Sequence, residues 1–272
     1  MVKIFLSVRN RLEITKKCIY ALKEHSGIRH QLYVYDNSTD YLLKEHFLYF
    51  YELFQKGLIS QVTFTSKEST FNAFSKASAC NFFGRQHEED PKKDDYRFLV
   101  FLDNDIIVTP NWDVKLAQAW KYVRKKNLDH VHVIGQLPGG IKIIREEHKI
   151  SDDLIGKVGK FGGSALWSVR PSFFRQIGFL NLSQLVGHNK KHDQMYWKLL
   201  DRYNSGKPYI MGLNAKLGIH CGKIAGSVCN KLTRSRGKGD ISFKEAEEKI
   251  RKMTFQQFFE KIKNDKNLVK DW

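Results

Sequence analysis

The stretch Phe98-Leu99-Val100-Phe101-Leu102-Asp103-Asn104-Asp105 decides the fold. Its first five residues are the most apolar run in the chain and read as a central strand buried on both faces, the usual place of a strand in a parallel sheet. Two carboxylates spaced i, i+2 follow at the carboxyl end of that strand, where open α/β sheets bind ligands. Paired hard oxygen donors there suit Mg²⁺ or Mn²⁺ on a diphosphate. Asp-x-Asp by itself is common, and a solvated acidic turn is the competing reading. The apolar strand before it and the exit Ile106-Ile107-Val108-Thr109-Pro110 after it favour the metal.

Outward from this stretch, strand and helix patterns alternate. Ile4 to Val8 is an apolar run, Leu12, Thr15, Cys18, Ile19 and Leu22 recur at helical spacing, and Gln31 to Tyr35 alternates like a strand. This βαβ opening predicts an α/β fold with a mostly parallel sheet flanked by helices. Val62 to Thr65 reads as a third strand, and Thr70 to Phe83 as a helix that Ser69 or Thr70 could cap. Trp112 to Lys125 reads as helix and Val131 to Ile134 as strand. From Pro138 to about Lys160 charges dominate, which predicts a surface loop or flap. Later elements are a strand from Ala165 to Val169, helices near Pro171 to Ile177 and from Lys191 to Tyr203, and a strand from Tyr209 to Leu213.

These motifs together resemble family 2 glycosyltransferases of the GT-A fold, over about residues 2 to 220. The resemblance rests on Phe5-Leu6-Ser7-Val8-Arg9-Asn10-Arg11 before the first helix, on Asp36-Asn37-Ser38-Thr39-Asp40 after the second strand, on Ser75 to Asn81, and on Asp103-Asn104-Asp105. It implies a GT-A domain over 1–222, with a nucleotide-sugar half (1–110) and an acceptor half (111–222), followed by a basic helical extension over 223–272. It implies that Ser7, Val8, Arg9 and Asp36 contact the nucleotide base and ribose, that Lys76 approaches the donor phosphates, and that Asp103 and Asn104 line the donor site. Asp36 as a mere Asx-turn and Lys76 as an exposed helix lysine are the plainer alternatives. The stretch Glu68 to Asn72 lacks the glycines usual before the Lys76 helix.

In the second half, Gly162-Gly163-Ser164-Ala165-Leu166-Trp167, Phe174 to Leu180 and His188 to Gln194 follow the order of the family's acceptor half. By that order Asp193 is the base that takes the proton of the acceptor hydroxyl in an inverting transfer. Its alternative is a helix-terminal Asp complementing the dipole. His220, after the last strand, stands where such enzymes place a third metal ligand, so Asp103, Asp105 and His220 form the expected metal set. A histidine there could equally be a structural hydrogen-bonder. The implied activity is a hexosyltransferase using a divalent metal, Mn²⁺ or Mg²⁺, and a nucleotide-sugar donor, with UDP-sugar preferred.

Of the 272 residues, 42% are hydrophobic, enough for one large α/β domain, and 46 basic residues face 29 acidic ones for a net charge of +17. Lys223 to Lys238 holds five basic residues and no acidic one. Such charge predicts a polyanionic acceptor. The favoured one is a hydroxymethylated pyrimidine in DNA, as in bacteriophage genome modification, with Trp167, Tyr196 or Trp197 available to stack on a flipped base, although each taken singly reads more plainly as core. The alternative is a cell-surface or lipid-linked glycan, with the stripe Phe255, Phe258, Phe259 and Ile262 docking on an anionic membrane or packing on the core. A non-catalytic basic nucleic-acid-binding protein with a degenerate GT-A fold is the reading from another class. No run is long enough to span a bilayer, and the opening lacks a signal peptide's apolar region, which predicts a cytoplasmic protein of a bacterial or phage-infected cell. Cys18, Cys80, Cys221 and Cys229 have no paired spacing and read as structural thiols.

Overall fold

The computed structural model describes residues 1–38, 40–65, 72–136, 143–160, 165–180, 192–221 and 247–264. Its centre is a nine-stranded sheet in the order β3-β2-β1-β4-β9-β6-β10-β8-β7. Strands β1 (Val2–Val8), β2 (His30–Asp36), β3 (Gln61–Phe64) and β4 (Leu99–Asp103) are parallel. They alternate with helices α1 (Leu12–His25), α2 (Asp40–Gln55) and α3 (Asn72–Glu89). The α/β architecture is therefore as expected. The sheet is more mixed than expected, because β9 (Leu166–Val169) runs antiparallel between β4 and β6 (Val133–Gln136).

Strand β4 lies in the middle of the sheet because both of its faces are apolar. Val100 and Leu102 enter one core cluster, while Leu99 and Phe101 enter the other. In the first cluster α1 buries Ile14, Cys18, Ala21 and Leu22, and α4 (Trp112–Lys125) buries Trp112, Leu116, Ala119 and Val123. The helical spacing of these residues creates one apolar stripe per helix. Asp113, in the first turn of α4, accepts hydrogen bonds from the N–H groups of Gly27 (2.9 Å) and Ile28 (2.8 Å), which ties α4 to the turn between α1 and β2.

One sequence expectation is corrected here, and one choice between two readings is decided. The charged stretch before Lys160 is not simply a loop: β7 (Ile143–Lys149) and β8 (Ile155–Lys160) form an antiparallel pair, and β8 joins the sheet beside β10 (Ile210–Leu213). Strand β7 is mostly exposed, so neither face needs apolar residues and no alternation marks it. The stripe on the last described helix, α7 (Phe255–Asn264), is core and not membrane anchor. Phe258 and Ile262 are fully buried in the first cluster, and Phe255 and Phe259 pack against it.

Candidate functional site

Three segments converge at the carboxyl end of β1 and β4. In register, Ser7 of β1 lies beside Asp103 of β4. Beyond Val8 the chain turns through Asn10 (φ 53°) and Arg11 (φ 59°), both left-handed and neither glycine. L-residues pay roughly 1–2 kcal/mol each for that conformation, so other bonds must hold it. The Asn10 N–H donates to Ser38 Oγ at 2.7 Å, and Asn104 Nδ2 donates to the Asn10 carbonyl at 3.2 Å and to Thr15 Oγ1 at 2.8 Å. Asn104, itself bonded through its N–H to the Ser7 carbonyl, thus braces the turn from β4.

The braced turn brings Arg11 to Asp105. Arg11 Nη1 donates to Asp105 Oδ2 at 2.7 Å, and the Asp105 side chain is only 7% exposed. His220 Nε2 lies 3.4 Å from the same oxygen. The meeting of His220 and Asp105 is a product of a second, two-stranded sheet, in which β11 (Gly218–His220) pairs antiparallel with β5 (Ile106–Val108) and His220 stands opposite Ile106. Gln136 steers β11 there, its Oε1 accepting from the N–H groups of Leu217 (2.6 Å) and Gly218 (2.8 Å). Gly218 is required by the close approach, since a Cβ there would stand 2.7 Å from Ile106 Cγ2.

The electrostatics follow from this packing. Burial disfavours the His220 imidazolium, but its bond to Asp105 and the negative charges of Asp105 and Asp103 outweigh that cost and raise its pKa. The buried thiols Cys18 and Cys221 are pushed upward, by burial first and then by Asp105, and are inert as nucleophiles. Arg9 is partly buried, and burial lowers its pKa. Its Nη1 is buried and has no hydrogen-bond partner among the described residues.

The expected residues divide into three groups. Ser7, Asp103, Asn104, Asp105 and His220 are brought together, and Val8 and Arg9 follow Ser7 at the end of β1. Asp36 is nearby but fully buried. Its Oδ1 accepts from the Ser38 N–H (2.9 Å) and hydroxyl, and its Oδ2 meets His46 Nδ1 at 2.9 Å. That is the Asx-turn, strengthened by a histidine that no sequence motif signals. Lys76 lies in α3 and Asp193 in the first turn of α6 (His192–Tyr203), and both side chains lie outside the described residues. The segments 66–71, 137–142, 161–164, 181–191 and 222–246, with the basic run Lys223 to Lys238, lie outside them too. Arg11 is the site residue that the sequence reading missed, although it stands in the quoted Asn-Arg turn.

Trp167, Tyr196 and Trp197 are each 1% exposed and belong to the second core cluster, which is the plainer of their two readings, so they form no stacking platform. The described residues hold no group of three or more His, Cys, Asp or Glu side chains arranged to hold a metal ion. Asp103, Asp105 and His220 are donors of the types that Mn²⁺ or Mg²⁺ takes, but here they are not arranged around a cation site, and Asp105 meets the Arg11 guanidinium instead. No described helix is long and apolar enough to cross a membrane.

In fold the chain is similar to S. aureus TarS, with a TM-score of 0.50 at 10% identity over 89% of this chain. The match spans only 41% of TarS. TarS 1–349 in complex with UDP matches with a TM-score of 0.48 at 11% identity, covering 95% of this chain and 74% of that one. The mannosyltransferase PcManGT from Pyrobaculum calidifontis, in complex with GDP-Man and Mn²⁺, gives 0.47 at 14% identity, covering 91% and 68%. At these identities the likeness is one of fold. No family model matches the chain, and no curated protein matches it in sequence.

Proposed function

We propose that this chain is a metal-dependent, inverting glycosyltransferase that moves a sugar from a nucleotide-sugar to a hydroxyl acceptor. The observation that carries this reading is the convergence of Asp103, Asn104, Asp105, Arg11 and His220 at the carboxyl end of the central strand, beside a strained turn. Asp103, Asp105 and His220 would hold Mn²⁺ or Mg²⁺, which when bound neutralises the diphosphate leaving group. Arg9, just past β1 and with a nitrogen unpartnered among the described residues, would add positive charge for the same phosphates. Ser7 and Val8 line the nucleoside side. Asp36 supports that wall through Ser38, whose hydroxyl also holds the Asn10 turn.

In the reaction the acceptor oxygen attacks the anomeric carbon and the bond from that carbon to the phosphate oxygen breaks. The electron pair leaves with the nucleoside diphosphate. Asp193 takes the acceptor's proton.

For the acceptor, burial of the three candidate stacking aromatics leaves the DNA reading resting on charge. The glycan reading gains an observation: Phe47, Leu48, Tyr51, Phe54 and Leu58, on α2 and just after it, are 44–57% exposed. A protein working against a membrane or a lipid-linked acceptor has use for such a patch. The acceptor we favour is accordingly a surface or lipid-linked glycan. The test is a transfer assay with radiolabelled UDP- and GDP-sugars and Mn²⁺, offering a lipid-linked glycan beside hydroxymethylated DNA. Label in the glycan fraction supports the reading, label in DNA reverses the acceptor, and absence of any metal-dependent donor cleavage would falsify the enzyme assignment.

A further inference from the structure

Asp105 has one carboxylate oxygen, Oδ2, that serves both Arg11 (2.7 Å) and His220 (3.4 Å). This is an oxygen that a divalent cation would need, and it is already neutralised. A guanidinium on a nearly buried carboxylate cannot simply be removed, because the ion left behind is uncompensated and costs several kcal/mol. A metal ion arriving alone on that oxygen must therefore displace Arg11 and leave that cation unsatisfied. A diphosphate arriving with the metal offers the planar guanidinium a second anion, one that it can pair with through two parallel N–H···O bonds. Arg11 is 20% exposed, and it sits in a turn of two left-handed residues whose backbone is held through Asn10. The side chain can leave Asp105 without disturbing α1, whose first turn is anchored separately by Thr15, bonded to the Arg11 carbonyl through its N–H (3.1 Å) and hydroxyl (2.8 Å).

We propose that Arg11 is a resident counter-ion that closes the Asp105 carboxylate to metal until a nucleoside diphosphate draws it away, so that metal enters with the nucleotide and not before it. The proposal rests on the donor-site reading above. In it Arg11 has two places, on Asp105 in the empty protein and on the diphosphate in the loaded one, and it makes metal affinity conditional on nucleotide.

The experiment is a Mn²⁺ titration of the full chain, followed by the electron paramagnetic resonance signal of free aqueous Mn²⁺, without nucleotide and with saturating UDP or GDP. Wild type should bind Mn²⁺ at least about tenfold more tightly with nucleotide than without it, a difference of 1.4 kcal/mol. Arg11→Gln should bind Mn²⁺ alone about tenfold more tightly than wild type and lose most of the nucleotide dependence, whereas Arg11→Lys should retain it. Equal Mn²⁺ affinity of wild type and Arg11→Gln in the absence of nucleotide would overturn the proposal while leaving the metal site standing. Should Arg11→Gln not fold, equal affinity of wild type with and without nucleotide overturns it as well. If wild type binds no Mn²⁺ even with nucleotide, the donor-site reading fails and the proposal with it.

Discussion

Two ion pairs of the same length flank β1, and they sit in different surroundings. Near its start, Lys3 Nζ meets Asp90 Oδ2 at 2.7 Å; beyond its end, Arg11 Nη1 meets Asp105 Oδ2 at 2.7 Å. Lys3 sits on a regular strand, and the rings of Tyr33 (4.6 Å) and Tyr96 (4.9 Å) enclose its ammonium. Asp90 also accepts from the Tyr96 hydroxyl and the Lys92 N–H. The whole arrangement has one low-energy form. Arg11 sits on a strained turn, is open to solvent on one side, and shares its partner with a histidine. Equal distances therefore say little about role; the difference lies in what carries each cation, a regular strand lined by two aromatic rings for Lys3 and a left-handed turn for Arg11.

The largest expected effect breaks the symmetry at the active end. Asp105→Ala should lower turnover about a thousandfold, the loss of several kcal/mol of transition-state stabilisation, while thermal melting stays cooperative. Single-turnover donor cleavage with Mn²⁺ checks this, and near-normal rates would remove Asp105 from the site. At the other end Asp90→Ala should cost about 3 kcal/mol of stability by urea unfolding, because Lys3 is left buried and unpaired, with little change in turnover of the folded fraction. A cost below 1 kcal/mol would show that the tyrosine rings alone suffice for Lys3.

The two ends should also respond to pH with opposite signs. Burial, and then the charge of Lys3, pushes His87 down to about 4 from 6.5, so it stays neutral in the fold while the unfolded chain protonates it. Its stabilisation is complete above pH 6.5 and is lost as pH falls toward 4. His220 is shifted upward, so its contribution in metal-free protein is complete below 6.5 and is lost as pH rises through the raised value. Melting temperatures from pH 4 to 9 should show a shallower acid limb in His87→Gln and a shallower alkaline limb in His220→Gln. Unchanged limbs would mean that other groups carry the pH dependence.

The smallest effect concerns the carboxyl-terminal segment. Glu247 Oε2 accepts from the Glu13 N–H at 2.9 Å, capping the first turn of α1 from 234 residues away. Glu247→Ala should cost about 1 kcal/mol, and Glu247→Gln, which keeps an acceptor, less. Equal losses in the two variants would place the effect in charge rather than in the cap.

The parts of the molecule visible in the sequence are those whose pattern is local. Strand β4 shows itself because both its faces are buried, and the Asp103-Asn104-Asp105 turn because it directly follows. Helix α2 escapes notice because apolar residues occur on its exposed side as well as its buried one, so no polar face frames it. Strands β7 and β8 escape because one of them is mostly exposed and charged. The proximity of Arg11 and His220 to Asp105 is set by pairings 94 and more than a hundred positions apart, which depend on β11 docking on β5 and on Gln136 steering it. His46, deep in α2, meets Asp36 for the same reason: packing, not spacing, brings it there.

The central claim, that Asp103, Asp105 and His220 form a metal-assisted donor site, is tested most directly by diffraction from crystals grown with UDP or GDP and Mn²⁺, using the anomalous signal of manganese. The account predicts one strong peak within coordination distance of Asp105, with the diphosphate on its far side and Arg11 moved from Asp105 to a phosphate oxygen. A nucleotide bound elsewhere, or bound here with manganese absent and the Arg11–Asp105 pair intact, would contradict it.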